Sequence, residues 1–598
     1  MKAYRNLVFA IKKAIVLLPT KREKMMVVIL WLLALSSYFV SMLFPTIQMW
    51  ITDGVNSILQ GNTQYHLLIL GFSGLLISTF IGFISRRKLF AWSDYVSSLI
   101  IDSIYGDMLR KSARIKYKYF DQKEMYDKLM QTSYIVPEKI ASLITWNTVP
   151  PIIGGVISMT FVTVTLVYVH WSIAILVTVG NIASIYFYYR RMKDNYYLQV
   201  ELIPQKRWAE AYWGPLIDRG TLKEVQVFGL FDYITQKWKR YSLMTSRQNF
   251  LFSLKYSAIM LATDIISILF KILALIITLH IIIEGKASIG AFMLVYGSIN
   301  VFSGYLSDIS KAFINISENS LHIDSWLEYM GLEDENIGTD SSLCDKDLNI
   351  EFINVKFKYV GSERLALDGI SLKIEQGEKV AIVGENGSGK STFVSMLNGL
   401  YDDYEGKILV NGQDVRQNIS ILRSNIITAF QDYGCYEFSI KDNVRMGDIE
   451  KQHTDAEIRN AARMADALEF IDDFESGIDT EIGPYSENGV NLSGGQWQKI
   501  ALARTFINPD AKLLVLDEPT ASLDPFSESV IYRRFIEQIN DQTAIMISHR
   551  LGATKFADRI LVFDKGKIVE DGNHDELMSD KGLYWDMYTS QSRIYKEV

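Results

Sequence analysis

Cysteine is nearly absent. Cys344 and Cys435 are the only two in 598 residues, too few for a disulfide framework or a four-cysteine zinc site. Eleven prolines and 38 glycines exclude a proline-rich or collagen-like polymer. Charge is also scarce, at 22% of residues against 49% hydrophobic. A mean hydropathy of +0.10 fits neither a disordered chain nor an ordinary soluble one, and the length alone predicts more than one domain. The net charge of −7 hides a split: residues 1–330 carry ~33 Lys and Arg against ~21 Asp and Glu, and the remainder ~28 against ~47.

What is present is long uncharged runs, unevenly placed. Residues 25–52 contain no charge, more than the ~20 positions a helix needs to cross a bilayer. Further apolar windows lie at about 65–85, 140–168, 171–189, 256–283 and 287–307, so six spans are expected. His170 and Trp171 form the natural turn inside the longest run. Lys and Arg concentrate in the N-terminal segment and in 86–139 and 190–255, whereas the intervening loops carry only Lys286. The positive-inside rule then places both termini in the cytoplasm of a multi-pass protein of the cell membrane. No secretory signal is expected, because the apolar run before Pro19 is short and no small-residue cleavage site follows. Residues 1–24 read as an amphipathic cytoplasmic segment lying on the inner membrane surface among the lipid headgroups, with Tyr4, Leu7, Val8, Ile11 and Ile15 on its apolar face. The two long basic segments keep helical periodicity, as membrane helices continuing into the cytoplasm would. A polar stretch at 333–348 is the expected linker between a membrane domain (25–332) and a second domain (349–598).

The chemistry begins in KVAIVGENGSGKST, an apolar strand, a glycine-rich loop and a helix start. Gly384, Glu385, Asn386, Gly387, Ser388, Gly389, Lys390 and Ser391, followed by Thr392, fit a phosphate-binding loop for ATP. Glycines let successive amides turn inward around a phosphate, Lys390 supplies a mobile positive charge, and the Ser391 hydroxyl suits Mg²⁺. KLLVLDEPT is a buried-strand run ending in two carboxylates: Asp517 suits Mg²⁺ held through water, and Glu518 suits polarisation of a water attacking the γ-phosphate. Adjacent strand residues point to opposite faces, so this division predicts a bend at the strand end.

Residues 492–496, LSGGQ, complete the pattern, and with the other motifs between 359 and 549 the chain resembles an ABC transporter. The resemblance implies an α/β P-loop ATPase domain preceded by an all-α six-helix transmembrane domain, the fused exporter type. It also implies that Tyr359 stacks on adenine, that Gln431 contacts Mg²⁺ and water, that Asp524 in ASLD crosses to a partner subunit, and that His549 contacts the γ-phosphate. In that family Ser493, Gly494, Gly495 and Gln496 face the nucleotide held by the other subunit, so a homodimer is expected, a heterodimer with a homologous half-transporter being the alternative. The stretches at 119–129 and 222–230 resemble regions near the coupling helices of this type. Before LSGGQ the run is GPYSENGVN, with Pro484 and Asn488 where many exporters carry a Glu and an Arg. That departure, with NGVNLSGGQWQKIALAR and VGENGSGKST, is most similar to bacterial exporters of lantibiotic-type peptides. No N-terminal cysteine peptidase is expected, since the first cysteine is Cys344.

Three readings compete: an ATP-driven peptide exporter, a lipid flippase or multidrug exporter, and a channel regulator or ligand sensor. None involves a nucleic-acid partner. Asp264 and Lys271 bear on cargo. They lie seven residues apart in the fifth window, on one helix face at ~10.5 Å along the axis. Lys271 falls near mid-bilayer, where an unpaired charge costs ~2.5 to 3.5 kcal/mol on insertion scales. It is a candidate for the translocation path, the alternative being an ion pair with Asp264 or a bond to an interhelical carbonyl that only fixes packing.

Overall fold

The computed structural model describes residues 2–61, 65–122, 125, 136–145, 148–337, 348–417, 419–484, 486–518, 542–548 and 553–596. Two compact units result: one combines Met1–Ala113 with Tyr126–Leu332, the other Arg114–Met125 with Glu333–Val598.

The first unit is helical: α1 (Lys2–Leu17), α2 (Lys21–Leu59) and α3 (His66–Ser112), then α5 (Val149–Val169), α6 (Trp171–Trp213), α7 (Arg219–Val227), α8 (Phe231–Ile283) and α9 (Gly290–Met330). The short α4 (Lys118–Asp121) belongs to the second unit. Among the described residues five stretches are long and apolar enough to cross a bilayer: Lys21–Leu59, His66–Ser85, Val136–Val169 (which includes residues 146 and 147, outside the described set), Trp171–Leu216 and Phe231–Ile283. The sixth apolar window of the sequence runs onto α9. At 47, 43 and 53 residues, α3, α6 and α8 are roughly 65 to 80 Å long, far more than the ~30 Å of a hydrocarbon core. His170 alone separates α5 from α6, its Nδ1 accepting from the Ser172 amide.

Helix α1 buries a stripe that its apolar periodicity does not single out. The apolar face expected at Ile11 and Ile15 is only half-buried, and the buried stripe is Ala10, Ala14 and Leu18. Small residues at i and i+4 let α1 lie close against α3 and α9, where Lys13 pairs with Asp107 at 3.2 Å and sits 4.8 Å over the Trp326 ring. A close-packed helix seam favours small side chains, which hydropathy alone undervalues.

Helices α6 and α8 pack most extensively against each other. Tyr256, Thr263, Ser267, Ala274, Thr278 and Ile281 form the buried stripe of α8. Gly180 of α6 admits Phe270, where a β-carbon would meet the phenylalanine at 2.7 Å. At the loop end of α9, Asp53 accepts from the Gly290 amide and the Ser288 hydroxyl, both at 2.6 Å. A carboxylate there satisfies a free helix-start donor and meets the positive end of the helix dipole. Asp53→Ala is therefore expected to cost about 1 kcal/mol, seen as a lower Tm of the detergent-solubilised chain with ATP affinity unchanged; an unaltered Tm would remove the capping role.

The second unit contains two sheets. A six-stranded sheet has the order β10-β9-β3-β8-β7-β6 and a four-stranded one the order β2-β1-β4-β5. Their strands are β1 (Ile350–Phe357), β2 (Leu367–Ile374), β3 (Lys379–Gly384), β4 (Glu405–Val410), β5 (Gln413–Asp414), β6 (Ile426–Ala429), β7 (Leu513–Asp517), β8 (Thr543–Ile547), β9 (Arg559–Asp564) and β10 (Lys567–Gly572). Strands β7 and β8 are buried along their whole length and β3 from Val380 on. That is why they read as continuous apolar runs rather than alternating ones. Ile547 ends β8 between Ile382 of β3 and Asp517 of β7, all three strands running parallel. The carboxyl ends of adjacent parallel strands are where α/β sheets place their ligands.

Candidate active site

Strand β3 leads into the glycine-rich loop and then into α10 (Lys390–Leu397). The loop depends on backbone that only glycine adopts easily. Gly384 has φ +152°, and a β-carbon there would lie 2.3 Å from the Phe563 carbonyl oxygen and 2.8 Å from the Ser388 hydroxyl. Gly389, at φ +111°, caps α10, and a β-carbon on it would lie 2.7 Å from the Ala366 carbonyl oxygen. Lys390 is buried and folds back onto its own loop, donating to the carbonyls of Gly384 at 2.8 Å and Glu385 at 3.0 Å. Burial lowers its pKa, against the nearby charges of Glu518 and Asp517.

Across β8, strand β7 ends at Asp517, which is only 5% exposed and whose Oδ1 has no hydrogen-bond partner among the described residues. Burial chiefly, reinforced by the charge of Glu518 and opposed by Lys390, raises its carboxyl to about 6. Glu518 takes up φ +48°, a left-handed turn rare outside glycine. This is the bend that two adjacent carboxylates with separate tasks require, and the Glu518 amide is held by the Ile547 carbonyl at 3.1 Å.

Part of this set borders one cleft of about 470 Å³, whereas Gly384, Glu385, Ser388 and Asp517 are not among its lining residues. Tyr359, Asn386, Gly387, Gly389, Lys390, Ser391, Thr392, Gln431 and Glu518 line it, together with Ser362, Arg364, Leu365 and Ala366. The last four were not singled out by the sequence motifs, because they border the cleft only where the loop after β1 passes the phosphate-binding loop. Tyr359 is tied to that loop's helix through a 3.0 Å bond to the Thr392 hydroxyl.

LSGGQ starts helix α11 (Gly494–Phe506). Ser493 caps it, its hydroxyl accepting from the Gln496 amide while Gln496 accepts from the Ser493 amide. None of residues 492–496 lines the cleft. The segment after Gln431 is fastened to this helix: Tyr433 donates to the Gly494 carbonyl at 3.0 Å, and Arg504 donates to the Gly434 carbonyl at 2.7 Å and the Asn443 side chain at 2.6 Å. Motif reading gave no sign of that fastening, since it joins residues far apart in the chain. Asp524 and His549 lie outside the described residues.

The ABC transporter family profile matches residues 367–521. Over 498 residues the chain is 30% identical to the subtilin transport ATP-binding protein SpaT of Bacillus subtilis, covering 81% of this chain and 79% of that one. The chain belongs to the ABC transporter family. The nisin transport ATP-binding protein NisT of Lactococcus lactis is 27% identical over 554 residues, 90% of each chain. The ATP-dependent lipid A-core flippase of Pectobacterium atrosepticum is 33% identical over 374 residues, 62% of this chain and 63% of that one. The solved structure of a bacterial Atm1-family ABC exporter with ATP bound has the same fold, with a TM-score of 0.77, 22% identity, and coverage of 96% and 98%. This ABC transporter is accordingly a multi-pass membrane protein with an ATP-binding domain, an ATP-driven exporter that couples hydrolysis to transport.

Because a β-carbon at Gly384 collides with fixed backbone, Gly384→Ala is expected to weaken ATP binding at least about tenfold, the scale of a strained loop residue. A titration with a fluorescent ATP analogue reads this, and an affinity equal to the parent's would contradict the steric account.

Proposed function

We propose that this ABC transporter exports a ribosomally made, lantibiotic-type peptide from the cytoplasm as a homodimer. The observation that carries this reading is the extent of the alignments with the subtilin and nisin transport proteins. Both are longer than the ATPase unit and so run well into the membrane half, where cargo is met. Kinship with a lipid A-core flippase supports the second reading, a bilayer-soluble amphiphile. The basic segments between the apolar helices support a cytoplasmic ATPase domain. The apolar window on α9 supplies the sixth span.

In the nucleotide cleft, Tyr359 stacks on adenine, and Lys390 with the amides of the 384–391 loop holds the β- and γ-phosphates. The buried, unpartnered Oδ1 of Asp517 suits a cation, and Ser391, Gln431 and Asp517 would hold Mg²⁺. The metal's contribution is to neutralise charge on the β- and γ-phosphate oxygens. Glu518 polarises the attacking water. The second chain supplies Ser493, Gly494, Gly495, Gln496 and Asp524, and His549 meets the γ-phosphate. Glu518→Gln, which keeps size and loses basicity, is expected to bind Mg-ATP like the parent and to hydrolyse it at least about a hundredfold more slowly. Lys390→Ala should instead lose about tenfold or more in affinity, since it removes a charge-assisted contact. Binding and turnover measured separately distinguish the two, and equal modest losses in both variants would mean the site has been misassigned.

On α8, Asp264 is exposed and Lys271 half-exposed. At 100° per residue both lie roughly 60 to 80° from the centre of the stripe packed on α6. Among the described residues they form no ion pair with each other or with any other side chain within 4.0 Å. We assign Lys271 to the translocation path, where it favours polar or acidic groups of a peptide. Reconstituted in vesicles, the parent should show ATPase stimulated by a leader-bearing modified peptide and ATP-dependent uptake of that peptide into inside-out vesicles. Lys271→Met should keep basal ATPase and lose most of the stimulation. Stimulation by lipid A alone would favour the flippase reading, and full peptide export by Lys271→Met would return Lys271 to a packing role.

A further inference from the structure

Residues 114–125 stand outside the membrane helices in sequence pattern and belong to the ATPase unit in space. They continue directly from the end of α3. Their sequence, RIKYKYFDQKEM, meets the LYDDY stretch that follows α10. Lys116 pairs with Asp402 at 2.9 Å and Lys118 with Asp403 at 3.5 Å. Lys116 also holds Glu333 at 2.8 Å. Between these ion pairs the Tyr401 hydroxyl donates to Asp121 Oδ2 at 2.6 Å. The Tyr401 ring is 7% exposed and stands edge-to-face with Tyr117 on one side (5.8 Å, 89°) and with Tyr359 on the other (5.7 Å, 89°). Phe357 closes the same cluster at 4.8 Å. Tyr359 is the cleft residue whose hydroxyl meets Thr392 beside the phosphate-binding loop. Tyr401 does not line the cleft.

We propose that Tyr401 is a positioning residue that joins the base-stacking tyrosine to the 114–125 segment, so that occupancy of the nucleotide cleft is transmitted to the stretch of chain leading out of α3. The inference rests on the assignment of Tyr359 to the base. A base stacked on Tyr359 holds that ring in one plane. Tyr401, set perpendicular to it and buried, cannot turn independently, because edge-to-face pairs keep their attraction only over a narrow range of angles. The hydroxyl of the held ring then stays on the Asp121 carboxylate, a charge-assisted bond and the stronger kind. The flanking ion pairs are partly exposed, so they fix the register of the segment more than its stability. Backbone bonds to residues 333–335 hold the start of the segment in either case, so the part that responds to the base is the stretch around Asp121.

The test uses the full-length dimer in lipid nanodiscs, with hydrogen–deuterium exchange read over residues 114–125 with and without a non-hydrolysable ATP analogue. In the parent the analogue is expected to slow exchange there about tenfold, the size of effect given by a hydrogen bond to a charged group. Tyr401→Phe, which keeps the ring and removes the hydroxyl, should abolish that slowing while the analogue's affinity stays within about threefold of the parent's. Asp121→Asn, which keeps an acceptor and drops the charge, should retain part of it. Slowing that persists in full in Tyr401→Phe overturns the proposal, as does an affinity loss as large as that of Tyr359→Ala. If Tyr401→Phe does not assemble, Asp121→Asn decides: a reduced response supports the proposal and a full one overturns it. An analogue affinity unchanged in Tyr359→Ala overturns the stacking assignment itself. A loss there with a parent-like response in Tyr401→Phe overturns only the link.

Discussion

A buried carboxylate with one oxygen unpartnered among the described residues is the constraint around which the ATPase unit is organised. Asp517 lies at the carboxyl edge of a parallel sheet with one oxygen unsatisfied and a second carboxylate next to it in the chain, an arrangement costing about 1 to 3 kcal/mol for the unpaired group alone. Its natural counter-charge, Lys390, is engaged by the carbonyls of its own loop. On the proposed assignment of the site, a ligand that brings a cation to Asp517 and an anion to Lys390 together would relieve both conditions. A magnesium-complexed nucleoside triphosphate has that composition, and a bare anion or a bare metal ion does not. The left-handed turn at Glu518 and the glycines at 384 and 389 follow from the same demand. Each bends the backbone where a strand must release its last residues toward one shared cleft.

The membrane half obeys a different constraint, since its helices must satisfy polar groups among themselves. Asn181 returns its amide to the Val177 carbonyl at 2.7 Å, and Ser310 and Thr278 do the same one turn back on their own helices. Others bond across the α6–α8 seam, Tyr256 donating to Asp194 and Ser267 to the Asn181 side chain at 3.4 Å, and between them size and shape decide, as where Gly180 faces Phe270. Lys271 stands apart from that pattern, with no ion pair to a side chain among the described residues, which is what the proposed role toward cargo builds on.

Much of this was legible in the sequence, and the rest had a physical reason for being hidden. The phosphate loop, the paired carboxylates and the need for a bend between them are local, carried by residues within a few positions of one another; the bend is found at Glu518, and the cleft is lined by Lys390, Ser391 and Glu518 but not by Asp517. The apolar spans are likewise local, being a matter of composition over ~20 residues. The stripe Ala10, Ala14 and Leu18 was missed because alanine scores weakly on hydropathy and strongly in close packing. The Asp53 cap on α9, the grip of Arg504 on the Gln431 loop, and the match of Lys116 and Lys118 to Asp402 and Asp403 each join residues far apart in sequence. No periodicity reports such a pair, and taken singly each residue is an ordinary surface charge.

The same locality bears on the proposed homodimer. The hydroxyl of Ser493 has its acceptor function occupied by the Gln496 amide, which leaves its proton free to be given to an anion. The amides of the α11 start are aimed the same way by the helix itself. Yet no residue of this start lines the cleft of its own chain, so in the proposed homodimer its anion would be the nucleotide held by the second copy. Tyr433 holds the Gly494 carbonyl two positions after Gln431, a cleft residue. A shift of Gln431 on filling of one cleft would thus move the helix start that completes the other. In a symmetric dimer each chain would report its own occupancy to its partner by this path, and the two sites would fill and fire as a coupled pair rather than independently.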